Sequence, residues 1–302
     1  MAKSKVEGMV AIQLTPFKDD GEVDEESYRR EVRYMLKNGV RAIVTMGSIS
    51  ESLYMTESQR KRVCEITVEE VKGKIPVIQG VIAESTHLAV KLAKDAEEVG
   101  ADGIMVPYIG RNLTRLSKIN EQRMYNHFYT VANAVPELEV MLYDNPGYGE
   151  IPVHLIKRLA EDCSNIKYVK EQINVTKVTS IIKAVGDKVG VFCGTDIHLV
   201  PWLQLGCIGG TNSTPCVIPM HVRKIYEAAL AKDWDSVNEN FFKCWPVIWA
   251  FYGQGERPYK HALYWLGIFD NPRFLDPLYK PSEEALRNTR KALIELGMKL
   301  IR

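Results

Sequence analysis

Eight short runs of apolar and β-branched residues recur along the chain, and helical patterns fill the gaps between them. The runs cover residues 9–15, 42–46, 77–81, 103–107, 140–143, 166–170, 189–193 and 208–211. This alternation predicts repeated βα units around a parallel sheet, because parallel neighbours need a long crossover. The runs are continuously apolar, as strands covered on both faces are. Helix punctuation agrees. Thr56-x-x-Gln59 is a capping-box pattern opening a helix over 57–72, and Ser85 or Thr86 can cap one that runs to Val99 before Gly100. A helix over 25–37 ends at Asn38-Gly39, and Pro281-Ser282-Glu283-Glu284 starts the last one. After the eighth run only helical patterns follow, near 220–231, 233–252, 259–267 and 282–299.

A chain of 302 residues suits one α/β barrel plus a helical appendix. The expected architecture is therefore a (β/α)8 TIM barrel over residues 1–218 with a C-terminal helical extension over 219–302. An open α/β sheet is the competing fold. No G-x-G-x-x-G or G-x-x-x-x-G-K-[ST] follows any run, which speaks against nucleotide-binding versions of it.

Lys and Arg number 39 against 38 Asp and Glu, a net charge of +1. No nucleic-acid or anionic membrane partner is expected from that balance. No apolar run approaches the ~18 residues of a spanning helix, and the start Met-Ala-Lys-Ser-Lys lacks a signal-peptide core, so a cytoplasmic protein is expected. The six cysteines are scattered without a C-x-x-C pair, and free buried thiols are expected. The six histidines form neither H-x-H nor H-E-x-x-H, so no metal is expected.

In a barrel of this kind, chemistry sits at the C-terminal strand ends. Those ends carry Gly47–Ser52, Pro107-Tyr108, Tyr143-Asp144-Asn145-Pro146-Gly147, Lys170-Glu171, Gly194-Thr195-Asp196 and Gly209–Ser213. Under the period-two rule Lys170 shares a strand face with Tyr168 and Ile166. Were that face to point inward, desolvation would favour the neutral amine, a nucleophile towards ketones; otherwise Lys170 is a surface lysine at a strand end. Tyr143, near the end of the preceding strand, can reach the same space and shuttle protons there, or it simply anchors the strand. The small-residue turn Gly47–Ser52, with the Ser48 hydroxyl, can take a carboxylate.

Together these segments resemble a family. Gly47-Ser48-Ile49-Ser50-Glu51-Ser52 is similar to the G-x-x-G-E-[SA] loop of the dihydrodipicolinate synthase / N-acetylneuraminate lyase family. Tyr143–Pro146 is similar to its Y-x-x-P segment and Ile166–Glu171 to its [IV]-x-G-[IVL]-K-[ED] segment. Gln13–Phe17, Gly80-Val81, Asp102-Gly103 and Pro107-Tyr108 follow the pattern in order, so the resemblance spans nearly the whole chain. It implies a class I, Schiff-base-forming lyase or aldolase acting on pyruvate or another 2-oxo acid and an aldehyde. It also implies a homotetramer built as a dimer of dimers. Lys170 would be the Schiff-base lysine, carrying the covalent imine with no separate cofactor, and Tyr143 the proton shuttle. Ser48, with the N–H groups of Ser48 and Ile49, would hold the pyruvate carboxylate; Glu51 would be structural. Asn145, Tyr148 and Thr211 complete the substrate-binding candidates. Arg111 and Arg115 are further candidates for a distal anionic group. Asp196 and Asn212 would either bind substrate or serve the structure.

Departures from the family pattern bear on substrate. Ile49 stands where the synthases have a second hydroxyl, and Ile109 where they have a tyrosine that crosses the dimer interface. Tyr148 replaces the arginine that binds the second substrate's carboxylate. Ser50 and Tyr168 replace glycines, the latter putting a ring beside the amine. These changes favour an aromatic or apolar aldehyde, in the manner of the hydratase-aldolase branch, where Asn145 also has its counterpart. The alternatives are a 4-hydroxy-tetrahydrodipicolinate synthase, a 2-keto-3-deoxy sugar acid aldolase or dehydratase, and a catalytically silent 2-oxo-acid-binding barrel.

Overall fold

Eight parallel strands pair in sequence order and close on themselves. They are β1 (Gly8–Ile12), β2 (Ala42–Thr45), β3 (Val77–Gly80), β4 (Gly103–Pro107), β5 (Glu139–Asp144), β6 (Ile166–Glu171), β7 (Gly190–Cys193) and β8 (Gly209–Asn212). The computed structural model describes residues 6–109, 120–172, 174–252, 258–275 and 280–302. The (β/α)8 barrel and the helical C-terminal part are those expected, and the closed sheet rules out the open one.

The helices begin and end for the local reasons the sequence carries. Thr56 and Gln59 form the reciprocal capping box of the helix Glu57–Val71. At Thr86–Glu98 the cap is Ser85, whose hydroxyl accepts from Leu88 N at 3.1 Å, and not Thr86. Left-handed Gly39 and Gly100 follow the helices Glu25–Lys37 and Thr86–Glu98. Ser282 caps Glu283–Glu295.

Two apolar layers result from strand alternation. Ile43, Ile104, Val106, Val140, Leu142 and Val169 point outward under the helices. Val10, Val44, Ile78, Met105, Met141 and Phe192 fill the barrel interior. One expectation fails here. Ile166 does not share the inner face with Lys170, because the β5–β6 register shifts between Val140 and Met141: Val140 pairs with Ile166, whereas Met141 pairs with Tyr168. The extra residue, Lys167, sends Ile166 to the outer layer beside Val140 and leaves Tyr168 and Lys170 facing in.

Beyond β8, the helix Pro219–Leu230 packs on β1, and the long helix Trp234–Tyr252 packs on it in turn. Asp196, buried after β7, receives the Thr214 hydroxyl at 2.6 Å and also bonds Tyr252 and Asn212. Burial pushes its carboxyl up to about 6. Of its two expected roles, the structural one is what these contacts describe. All six cysteines are buried free thiols. Among the described residues no helix is long and apolar enough to cross a membrane, and no three His, Cys, Asp or Glu side chains gather as metal ligands do.

Candidate active site

Lys170 projects from the penultimate position of β6 into the barrel and is only 4 % exposed. Its strand position pairs with Tyr143 on β5 and Phe192 on β7, so the three side chains share the inner wall. The Lys170 Nζ lies over the Tyr143 ring, 4.2 Å from its centroid. The amine thus sits against the face of the Tyr143 ring, where the ring quadrupole attracts its protonated form.

Tyr143 Oη is the hub of a polar cluster. It donates to Gln172 Oε1 at 2.7 Å, accepts from Asn145 Nδ2 at 2.7 Å, and lies 3.3 Å from Ser48 Oγ. Asn145 Nδ2 also donates to Gln172 Oε1, at 2.5 Å. Tyr148 Oη donates to Ser48 Oγ at 2.9 Å, and its ring meets that of Tyr143 edge-on with centroids 5.7 Å apart. So the structure brings together Lys170, Tyr143, Asn145, Tyr148 and Ser48, all singled out in the sequence.

Gln172 was not among them. It sits one residue past β6, where no motif marks it. Its amide nitrogen donates to Gly194 O. A Cβ on Gly194 would fall 2.2 Å from Gln172 Cγ, so only glycine leaves room for this side chain.

The remaining candidates are placed differently. Ile49 is half-buried and packs against the apolar lining of the barrel. Thr211 lies buried on β8 opposite Val10, and its hydroxyl has no hydrogen-bond partner among the described residues. Arg111 and Arg115 lie outside the described residues. Tyr168 does not crowd the amine: its hydroxyl bonds Val6 N at 3.2 Å and Glu139 Oε2 at 3.1 Å near the other end of the barrel. Residues two apart on a strand face are separated by roughly 7 Å, and the bonds to Val6 and Glu139 hold the phenol away from the amine.

The loop after β2 is held from outside the barrel. Met46 and Glu51, both left-handed at φ 54° and 59°, bracket the short helical turn Ser48–Ser50. Such conformations cost about 1 kcal/mol or more for residues with a Cβ, so the surroundings must fix them. Ser50 Oγ donates to Gln13 O. Glu51 pairs with the buried ammonium of Lys260 and accepts from Leu275 N at 2.7 Å. Lys260 also donates to Arg273 O at 2.9 Å and lies over the Phe17 and Phe274 rings. Burial pulls the Lys260 ammonium down to about 8, against the opposing pull of Glu51. Glu51 thus has the structural role expected of it.

A buried amine, a phenol touching it, a hydroxyl turn and paired amides make up a site suited to carbonyl condensation. Residues 5–296 match the family described as the dihydrodipicolinate synthetase family. The 4-hydroxy-tetrahydrodipicolinate synthase of Aquifex aeolicus (strain VF5) is 31% identical over 300 residues, covering 97% of this chain and 99% of that protein. That of Campylobacter jejuni subsp. jejuni serotype O:23/36 (strain 81-176) is 33% identical over 293 residues, covering 94% of each. Among solved structures, dihydrodipicolinate synthase from Aquifex aeolicus superposes with a TM-score of 0.91 at 30% identity, covering 98% of this chain and 100% of the other. The chain belongs to the dihydrodipicolinate synthetase family, and with it to the class I pyruvate-dependent lyases.

Proposed function

We propose that Lys170 forms the imine with pyruvate or a related 2-oxo acid, and that Tyr143 moves the protons of that reaction. The observation that carries this reading is the buried Lys170 Nζ lying 4.2 Å from the centre of the Tyr143 ring. The neutral amine attacks C2, and Tyr143 transfers protons while the C2–O bond breaks and water leaves. The iminium then accepts electrons from the C3–C4 bond. In the cleavage direction Tyr143 takes the C4 hydroxyl proton, directly or through a water held by Asn145. The aldehyde departs, C3 is reprotonated, and water hydrolyses the imine to pyruvate. The electron sink is the covalent imine, so no separate cofactor enters the scheme. In this reading Ser48 and the N–H groups of Ser48 and Ile49 hold the substrate carboxylate, and the Thr211 hydroxyl, without a partner among the described residues, is a further donor.

For the second substrate we propose an aromatic or apolar aldehyde. Ile49, Ile109 and Tyr148 support it, since all three lack charge where a second carboxylate would need a cation. A 4-hydroxy-tetrahydrodipicolinate synthase activity is the second reading, favoured by the names of the relatives. We also propose the cytoplasmic homotetramer that the resemblance implies, which sedimentation would test.

The test of the lysine is treatment with pyruvate and borohydride. A stable mass increase on the peptide carrying Lys170, abolished in Lys170→Ala, is expected; an adduct unaffected by that substitution would sink the assignment. Pyruvate release from benzylidenepyruvates, set against condensation of pyruvate with aspartate semialdehyde and against cleavage of 2-keto-3-deoxy sugar acids, decides the partner.

A further inference from the structure

Strand β8 sends a single side chain into the barrel. Val10 of β1, an interior residue, pairs with Thr211, and Phe192 of β7, also interior, pairs with Gly209. Side chains alternate along a strand, so Gly209 and Thr211 face inward while Gly210 and Asn212 face out. Gly209 has no side chain, which leaves Thr211. It is fully buried, and its hydroxyl has no hydrogen-bond partner among the described residues. A buried hydroxyl left unpaired has given up its water without replacement, and a valine would fill the same shape at no such cost.

Thr211 stands at the level where the site's polar groups meet. Lys170, Phe192 and Gly209 are partners across β6, β7 and β8. Two residues nearer the mouth on these strands come Gln172, Gly194 and Thr211. Tyr143 Oη reaches the same level, since it donates to Gln172 Oε1 at 2.7 Å. Gln172 Oε1 also takes the Asn145 amide hydrogen, and Gln172 Nε2 donates to Gly194 O. These groups satisfy one another, and the Thr211 hydroxyl stays outside their network.

Barrel order fixes which part of a bound acid Thr211 meets. In a closed ring of eight strands, β2 stands opposite β6 and β4 opposite β8. With the carboxylate on the turn after β2 and C2 joined to Lys170 on β6, the acid spans the barrel between those two strands. Tyr143, on β5 beside β4, serves the oxygen that leaves C2. C2 is trigonal, so its third substituent, C3, points away from both the turn and the phenol, towards β8. We propose that Thr211 determines specificity at C3, and that the site prefers a 2-oxo acid carrying a hydroxyl there to one that carries only carbon and hydrogen. The proposal rests on the assignment of Lys170 and Tyr143 given above. A C3 hydroxyl pairs with Thr211 as donor or acceptor, whereas an apolar C3 leaves Thr211 unpaired in the complex. A site that hydrogen-bonds a substrate hydroxyl discriminates sharply against the analogue lacking it.

Hydroxypyruvate and 2-oxobutanoate are pyruvate with a hydroxyl or a methyl added at C3, so they match in size and differ in polarity. Each is titrated against the protein with borohydride, and the adduct on the Lys170 peptide is read by mass spectrometry. Hydroxypyruvate is expected to reach half-maximal trapping at a concentration about 10-fold or more below that of 2-oxobutanoate. Thr211→Val keeps the shape and removes the hydroxyl, so the two acids should then trap alike; Thr211→Ser keeps the hydroxyl and should retain the preference. Without any acid, Thr211→Val should unfold at the same or a higher urea concentration, because it deletes no hydrogen bond. A less stable Thr211→Val would make the hydroxyl a structural one and overturn the proposal. So would a preference that Thr211→Val leaves within about twofold of its original size, well short of the loss of a substrate hydrogen bond. If 2-oxobutanoate is trapped at the same concentration as hydroxypyruvate or a lower one, the unsubstituted protein alone overturns it, whether or not the variants fold. A protein that traps neither acid overturns the lysine assignment and the preference together.

Discussion

Gln172 Oε1 accepts the Tyr143 hydroxyl hydrogen at 2.7 Å and an Asn145 Nδ2 hydrogen at 2.5 Å. The amide oxygen thereby fixes where the phenol points its own hydrogen and leaves the phenol oxygen to accept from Asn145 and Ser48. Gln172 is itself pinned by the Gly194 carbonyl. Orientation of a general acid is part of its rate. Gln172→Ala should therefore lower kcat about 10-fold or more, with a smaller change in KM for the 2-oxo acid. Steady-state kinetics beside borohydride trapping checks this: trapping should persist, because Lys170 contacts Tyr143 and its neighbours independently of the amide.

The barrel was legible in the sequence because strands buried on both faces leave unbroken apolar runs, and β4 and the helix Glu25–Lys37 begin and end where those patterns do. Lys170, Tyr143 and Ser48 were legible from their places at strand ends, helped by the family resemblance. Ile166 was misplaced since one extra residue inverts a strand's faces, and nothing in Ile-Lys-Tyr-Val-Lys marks where a register shift falls. Gln172 and Lys260 were not legible for another reason. Each acts through a contact with chain far from it, Gln172 with Tyr143 and Gly194, Lys260 with Glu51, and a local pattern carries no record of such pairs.

Lys260 and Glu51 are separated by 209 residues and form a pair from which solvent is nearly excluded. Removing one member leaves a buried charge, which costs about 3–5 kcal/mol, whereas replacing both with apolar groups is far milder. Lys260→Met should accordingly destabilise by that order, and Glu51→Leu combined with Lys260→Met should recover much of the loss in urea unfolding. The pair also fixes the turn proposed to hold the pyruvate carboxylate. In the double variant, the pyruvate concentration needed for half-maximal trapping should therefore rise even where stability is restored. Unchanged pyruvate dependence would separate the pair from the loop's function.

Glu31 lies fully buried, with Leu14 N donating to Oε1 at 3.2 Å and no partner at Oε2 among the described residues. Burial raises its carboxyl from 4.5 to about 8, and the Leu14 N–H, the nearby Cys216 and Gln13 side chains and the charge of Lys260 offset only part of that. A folded value above the unfolded one means the folded state holds the proton more tightly. Stability from this group is complete below 4.5 and is lost as pH rises to about 8. Glu31→Gln keeps an acceptor for Leu14 N and does not ionise. Its stability relative to the unsubstituted protein should climb across that window, reaching on the order of 2–4 kcal/mol at the alkaline end. His127 and His261, pulled down to about 4 by burial, add acid sensitivity below their ordinary 6.5 to both proteins alike. The difference between the two unfolding curves, measured from pH 5 to 9, therefore isolates Glu31; a flat difference would show that it is already neutralised otherwise.

Ile49 offers a side-chain test of the aldehyde class that leaves the covalent chemistry alone. Its proposed contact with the pyruvate carboxylate is through the backbone N–H, which a substitution retains, while its side chain half-covers the apolar lining that includes Tyr148. A methylene or two lost from an apolar pocket is worth about 1–3 kcal/mol, or 10- to 200-fold in discrimination. Ile49→Thr should then lower kcat/KM for an aromatic substrate about 10-fold or more while pyruvate trapping stays near its original level. If instead the side chain faces a polar second substrate, the added hydroxyl gains a partner and kcat/KM for aspartate semialdehyde rises. The sign of the change across the two aldehydes, measured in one variant at one pH, therefore distinguishes an apolar acceptor pocket from a carboxylate-binding one without requiring the physiological substrate in hand.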